Sequence, residues 1–118
     1  LNDPDAELRV AAARALAVLK VERAYKALLN ILEEGDEDMV IEQVLRALGQ
    51  LGDPSAVPAI RKRAVKSMFS RPPIDIRIAA LTALAAIGTP QAVGVVEKAR
   101  KDRDSEIRSA AEQILTNR

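Results

Sequence analysis

Leu81 to Val96, LTALAAIGTPQAVGVV, holds an apolar helix end, a Gly-Thr-Pro turn and a second apolar helix, and Leu45 to Ile60, LRALGQLGDPSAVPAI, follows the same grammar. A unit that recurs in this way predicts a helical hairpin stacking on copies of itself, so architecture is read here before any residue is considered as a catalyst.

Composition agrees with that architecture. Of 118 residues 48% are hydrophobic, yet Tyr25 and Phe69 are the only aromatic ones. A core of Ala, Leu, Val and Ile suits closely packed helices better than a sandwich or barrel, which favours β-branched and aromatic residues. The 18 basic and 17 acidic residues nearly cancel, so no global field recruits nucleic acid or a membrane, and electrostatic recognition has to come from local clustering. Residues 37–72, with six basic and four acidic groups, form a mildly basic middle. The chain has no cysteine and no histidine, which removes disulfides, thiolate nucleophiles, Cys/His zinc sites and the side chain best suited to proton transfer near neutral pH. With no apolar run near membrane-span length and no leader pattern, the chain reads as soluble and cytoplasmic.

Taken in order, Asp3 and Pro4 read as the cap and first residue of a helix reaching Leu19, with Leu8, Ala12, Ala15, Leu16 and Leu19 as its apolar stripe. A break at Lys20-Val21, which carries neither Gly nor Pro, leads to a second helix ending near Leu32, with Ala24, Leu28, Ile31 and Leu32 inward. Gly35 ends it and Asp36 caps a third helix, about Glu37 to Leu51, with Val40, Val44, Ala47, Leu48 and Leu51 inward. After Gly52-Asp53-Pro54 a fourth helix runs to about Met68, burying Ala56, Val57, Ile60 and Ala64. Pro72-Pro73 makes the longest interruption. A fifth helix spans Ile74 to Ile87 and a sixth runs from the Gly88-Thr89-Pro90 turn to about Lys101. Asp104 caps a seventh that ends near Leu115.

Leu8, Val40, Ile76 and Ile107 share one repeat position, and Leu16, Leu48, Leu84 and Leu115 another, at offsets of 32, 36 and 31 residues. With Asp75-Ile76-Arg77-Ile78-Ala79-Ala80, Glu7-Leu8-Arg9-Val10-Ala11-Ala12, Glu106-Ile107-Arg108-Ser109-Ala110-Ala111 and the Leu51-Gly52-Asp53-Pro54 turn, the chain resembles the HEAT-repeat family. The likeness is to the short bacterial and archaeal type also seen in phycobilin-lyase-like proteins. It covers nearly the whole chain and is specific for fold, not for function. It implies that Arg9, Arg77 and Arg108 contribute to a polar ladder between neighbouring repeats. The second repeat departs from the pattern, reading Met39-Val40-Ile41 where the others read acid, apolar, arginine, so an apolar contact is expected to replace the ladder there. The preferred reading places Phe69 over Met39 and Ile41 as a small satellite cluster, against an exposed apolar patch that binds a partner.

The second helices of such a solenoid line its concave side. Repeat register there aligns Asn30, Lys62 and Lys98 into a polar ridge, flanked by Arg61 and Arg63 and lengthened by Lys66 and Lys101. Two roles are open to it: an anion-binding groove, or a solvated helix face whose basic residues favour helix C-termini. As a groove it suits an acidic or mixed-charge protein segment better than nucleic acid, because phosphate tracking needs several cations and base stacking needs aromatics. The acidic run Glu33, Glu34, Asp36, Glu37 and Asp38 lacks calcium-loop spacing and reads as turn and cap.

The expectation is therefore an all-α, short right-handed α-solenoid of HEAT-like hairpins, about three and a half repeats at roughly 4–34, 36–69, 73–102 and 104–116. It is expected to be a piece of a longer chain. Functionally it reads as a non-enzymatic interaction scaffold with no metal and no cofactor, a monomer or weak homodimer, binding partners through Asn30, Lys62, Lys66, Lys98, Lys101 and Phe69. The alternatives are an accessory part of a lyase-like or other enzyme assembly, such as one handling a bilin, and a weak binder of nucleic-acid backbone.

Overall fold

A computed structural model describes residues 4–118, so the cap expected at Asp3 and the residues around it lie outside the described part. Six α-helices follow one another: α1 (Pro4–Glu34), α2 (Asp38–Leu51), α3 (Val57–Ala64, entered through a 3-10 turn at Pro54–Ala56), α4 (Ile74–Ile87), α5 (Pro90–Ala99) and α6 (Ser105–Thr116). No strand occurs among the described residues. The helices form two layers, α2, α4 and α6 in one and the second half of α1, α3 and α5 in the other, with neighbours packed both within and between layers. This is an α-solenoid, extended to 64 × 31 × 20 Å.

Local chemistry explains the two complete hairpins. Gly52 (φ 70°) and Gly88 (φ 76°) end α2 and α4 in left-handed backbone, and their amides return to the carbonyls of Leu48 and Leu84. The next residue caps the helix that follows: the Asp53 carboxylate accepts from the Ser55 amide at 2.9 Å, and the Thr89 hydroxyl oxygen from the Ala92 amide at 3.2 Å. Pro54 and Pro90 then occupy the first turn, where no N–H is missed. Gly49 serves packing instead, since a Cβ there would sit 3.0 Å from the Ala83 Cα, and its absence lets α2 and α4 approach closely.

The core is the apolar face shared by these helices: Ile41, Val44, Leu45 and Leu48 from α2, Ile60 and Ala64 from α3, Ile76, Ala80, Leu81 and Leu84 from α4, and Val96, Ile107 and Ala111 beyond. Ala56, Val57, Ile60 and Ala64 are buried as the sequence predicts, but α3 stops at Ala64, four residues short of Met68. On α2 the inward face is rotated from the expected one: Ile41 and Leu45 are buried while Leu51 is 41% exposed.

The largest correction concerns the first repeat. No hairpin forms over residues 4–34, because α1 is one 31-residue helix running straight through the expected break at Lys20-Val21. Register explains the difference. Lys20-Val21-Glu22 stand where the later repeats carry Gly52-Asp53-Pro54 and Gly88-Thr89-Pro90, so the left-handed residue, the capping side chain and the proline are all replaced. Lys, Val and Glu have no reason to leave the helix, and the Ala- and Leu-rich sequence on either side propagates it. The second half of α1 is tied to the body by the Tyr25–Ser55 hydroxyl hydrogen bond, by buried Leu32 and by the Arg63 guanidinium donating to the Leu32 carbonyl at 2.7 Å. In the first half the stripe expected to point inward, including Leu8, Leu16 and Leu19, is exposed.

The satellite cluster is also overturned. Ile41 is buried, at 1% exposure, and occupies the register position of Arg77, so an apolar contact does replace the arginine in the second repeat. Phe69 does not cover it: Phe69 is 94% exposed, Met68 85% and Met39 75%. Because α3 ends at Ala64, Met68 and Phe69 ride on the 65–73 connection outside the core, while Met39 points outward from the first turn of α2. Phe69→Ala is accordingly expected to leave the thermal midpoint where it is, within the roughly 0.5 kcal/mol typical of surface changes, and a clear drop on calorimetry would contradict the exposed placement.

Candidate functional site

Stacking α3 beside α5 leaves a groove of about 660 Å³ on the second-helix layer. Its floor is aliphatic, with Val57, Val65, Leu81 and Val95, and Gly94 keeps one wall low. Its rim is cationic: Arg61, Lys62 and Lys66 from the α3 side and Lys98 from α5, against the single carboxylate of Asp102. The helical period produces this arrangement, because Lys62 on α3 and Lys98 on α5 hold the same register and face out of the layer.

At one end of the groove lies the best-connected polar group of the fold. Arg77, on α4, is 2% exposed and is the one buried charged side chain among the described residues. Its Nε donates to the Ala64 carbonyl at the end of α3 (2.9 Å), its Nη1 to Asp102 and Asp104 (3.2 Å each) and its Nη2 to the second oxygen of Asp102 (2.5 Å). One guanidinium thus joins the preceding hairpin to the turn before α6, the fork geometry that arginine provides and lysine does not. The hydrogen bonds from Arg77, helped by the Asp104 amide and the nearby Arg77 and Lys66 charges, outweigh partial burial and hold the Asp102 carboxyl below its ordinary range.

The other ladder arginines behave differently. Arg108 donates to the carbonyls of Asp102 and Arg103 at 2.8 and 3.0 Å, within the same turn, while Arg9 lies exposed on α1. Asp104 sits at the start of α6 as expected but makes no side-chain cap, since its carboxylate is engaged by Arg77 and, at 2.8 Å, by Lys66.

Of the residues singled out from sequence, the groove brings together Lys62, Lys66 and Lys98. Lys66 spends its charge on Asp104, whereas Arg61, Lys62 and Lys98 have no carboxylate within salt-bridge distance among the described residues. Asn30 is exposed on α1 and does not line the groove. Lys101 borders a separate depression with Glu97, Arg100 and Glu112, where Arg100 bonds Glu112 at 2.8 Å. Phe69 lines neither. Arg61 belongs to the site with equal weight, and its position three residues before Ala64 on a short amphipathic helix was the available signal. A second depression of about 550 Å³, on the first-helix layer between α2 and α4, is lined by Glu42, Arg46, Gln50, Asp75 and Thr82 over alanines, with charges of both signs. Among the described residues no three His, Cys, Asp or Glu side chains converge as a metal site would require, and no helix is long and apolar enough to cross a membrane.

A two-layer array of helical hairpins joined by a buried arginine defines an α-solenoid repeat protein. The HEAT-repeat profile matches residues 1–70 and the PBS lyase HEAT-like repeat profile residues 76–102, and the chain belongs to the HEAT-repeat family. Members of this family generally mediate protein interactions. No curated protein matches the sequence significantly. Among solved structures, human deoxyhypusine hydroxylase in complex with glycerol is similar over 79% of this chain, with a TM-score of 0.67 and 24% identity. The likeness is one of fold, and it takes in 31% of that longer chain.

Proposed function

We propose that this chain is a non-enzymatic, cytoplasmic interaction scaffold that holds an acidic segment of a partner protein in the groove between α3 and α5. The observation that carries the proposal is the uncompensated rim: among the described residues Arg61, Lys62 and Lys98 have no carboxylate within salt-bridge distance, and they stand over an aliphatic floor. Carboxylates of a peptide would meet the cations at the edge, while its apolar side chains would replace water against Val57, Leu81 and Val95. Nucleic acid is less well served, because the three open cations are few for counterion release and the groove presents no aromatic platform.

Affinity capture with the wild-type chain, run beside a Lys62→Glu, Lys98→Glu variant, tests the proposal. Both side chains are exposed, so the variant keeps its fold. It is expected to lose partners that the wild type releases at raised salt, since rim charges act mainly through screened attraction. Unchanged capture by the variant would overturn the groove as the binding surface.

A further inference from the structure

Taking the α3–α5 groove as the binding surface, we infer that Gly94 is the specificity-determining contact within it. The bound segment crosses α5 there in extended form, with an apolar residue against Gly94 and a carboxylate two positions along, between Lys62 and Lys98.

Gly94 is a glycine that the free chain does not need. The chain has five glycines. Gly35, Gly52 and Gly88 adopt positive φ, and Gly49 lets α2 approach α4. Gly94 has neither reason: it lies inside α5, outside the left-handed region, and a Cβ built on it would meet no neighbouring atom within 4 Å. Glycine is a poor helix former because it gives up the most backbone freedom on folding. Alanine would therefore strengthen α5 and fit the free chain without strain. What glycine supplies instead is bare helix backbone, open to close approach, and it is bared into the groove beside Leu81 and Val95.

The two ends of the groove differ in chemistry. Arg77 binds the Ala64 carbonyl at the end of α3 and Asp102 beyond the end of α5, so the C-terminal ends of the two helices meet there. The opposite end is formed by their starts and carries Val57, Pro58 and Pro90, with no charged side chain. Charge begins one turn further on, where Lys62 and Lys98 stand four residues beyond Pro58 and Gly94. It closes at Lys66 and Asp102, which are already engaged by Asp104 and Arg77. The open cations are thus Lys62 and Lys98, with Arg61 beside them.

This polarity sets the spacing of the occupant. Four helical residues span about 6 Å, the length covered by two residues of an extended chain, whose alternate side chains share one side. An apolar side chain seated at Gly94 therefore places the carboxylate two positions along between the two lysines, whichever way the segment runs. From Pro90 to Lys98 the wall is about 12 Å long. That accommodates about four extended residues but barely two helical turns, too short a contact to offset the cost of nucleating a helix.

Melting of the free chain and calorimetric titration with synthetic peptides at low salt test this together. Gly94→Ala is expected to raise the melting temperature by about 2–5 °C, since a helix exchanges glycine for alanine. The same variant should bind an acidic peptide carrying Leu-Ala-Glu roughly tenfold more weakly, because the added methyl overpacks the contact. For the wild type, a peptide of the same composition with Leu next to Glu should bind more weakly than the one with the two-residue spacing. Wild-type affinity in Gly94→Ala, a lowered melting temperature, or no preference for the two-residue spacing would overturn the inference and leave the groove in place. Failure of the wild type to bind either peptide would overturn the groove as the binding surface and the inference with it, an outcome told apart because it appears in the unsubstituted chain.

Discussion

Arg77→Ala is expected to destabilise the fold by about 3 kcal/mol, the lower end of what breaking a buried ion pair costs. The low end applies because Asp102 and Asp104 keep 20% and 29% of their side-chain surface, so water can reach part of what the guanidinium leaves. The Ala64 carbonyl also loses its donor, and α3 loses its tie to α4. Acid separates this electrostatic effect from simple loss of packing. A carboxyl held below its unfolded-state value contributes stability that is present above the ordinary value of 3.8 and is lost as pH falls through the folded-state value. Denaturant midpoints of wild type and variant should therefore differ at neutral pH and draw together in strong acid, once Asp102 is protonated in both. A gap that stays constant into acid would show that Arg77 acts through packing and its bond to the Ala64 carbonyl rather than through the carboxylates.

Leu84→Ala should cost about 2–5 kcal/mol, from lost transfer energy and from the cavity left in a fully buried site. That is a large share of the roughly 5–15 kcal/mol available to a domain of this kind. Leu84 lies on α4, which packs against α2, α3, α5 and α6, so there is little freedom to collapse into the gap. Leu115 has the same register on α6 but is only partly buried at the edge of the array, and truncating it should cost less. Equal losses at the two positions in denaturant titrations would show that the repeat register is mis-set.

The contrast between repeats shows which features were legible in sequence. Gly52-Asp53-Pro54 and Gly88-Thr89-Pro90 carry their own turn chemistry and Pro72-Pro73 bars the helix before Ile74, so the boundaries at Leu51, Ile74 and Ile87 could be read residue by residue. At Lys20-Val21 the expectation relied on repeat symmetry, and local propensity prevailed: with no turn residue in place, the helix continues. Ile41 was legible as a departure from the arginine pattern, but what covers it was not. That depended on where α3 ends, and a helix tail of Val65, Lys66 and Ser67 gives little warning of a stop at Ala64. Lys62 and Lys98 were placed by register because both hairpins that carry them are regular. Asn30 failed because its own repeat is not folded as a hairpin, and Lys101 because α5 ends at Ala99 and the next residues turn toward Glu112. Arg77 was assigned to the ladder through the family pattern, yet its partners Asp102 and Asp104 lie across a turn, which periodicity along one helix cannot reach.

Mapping amide chemical shifts during titration with a short Asp- and Glu-rich peptide that carries aliphatic side chains tests the proposed binding groove most directly. The expected result is a set of shifts at Lys62, Leu81, Gly94, Val95 and Lys98 that weakens as salt is raised and vanishes in the Lys62→Glu, Lys98→Glu variant. Shifts confined to the α2–α4 depression around Arg46 and Thr82, or none at the groove even at low ionic strength, would contradict it.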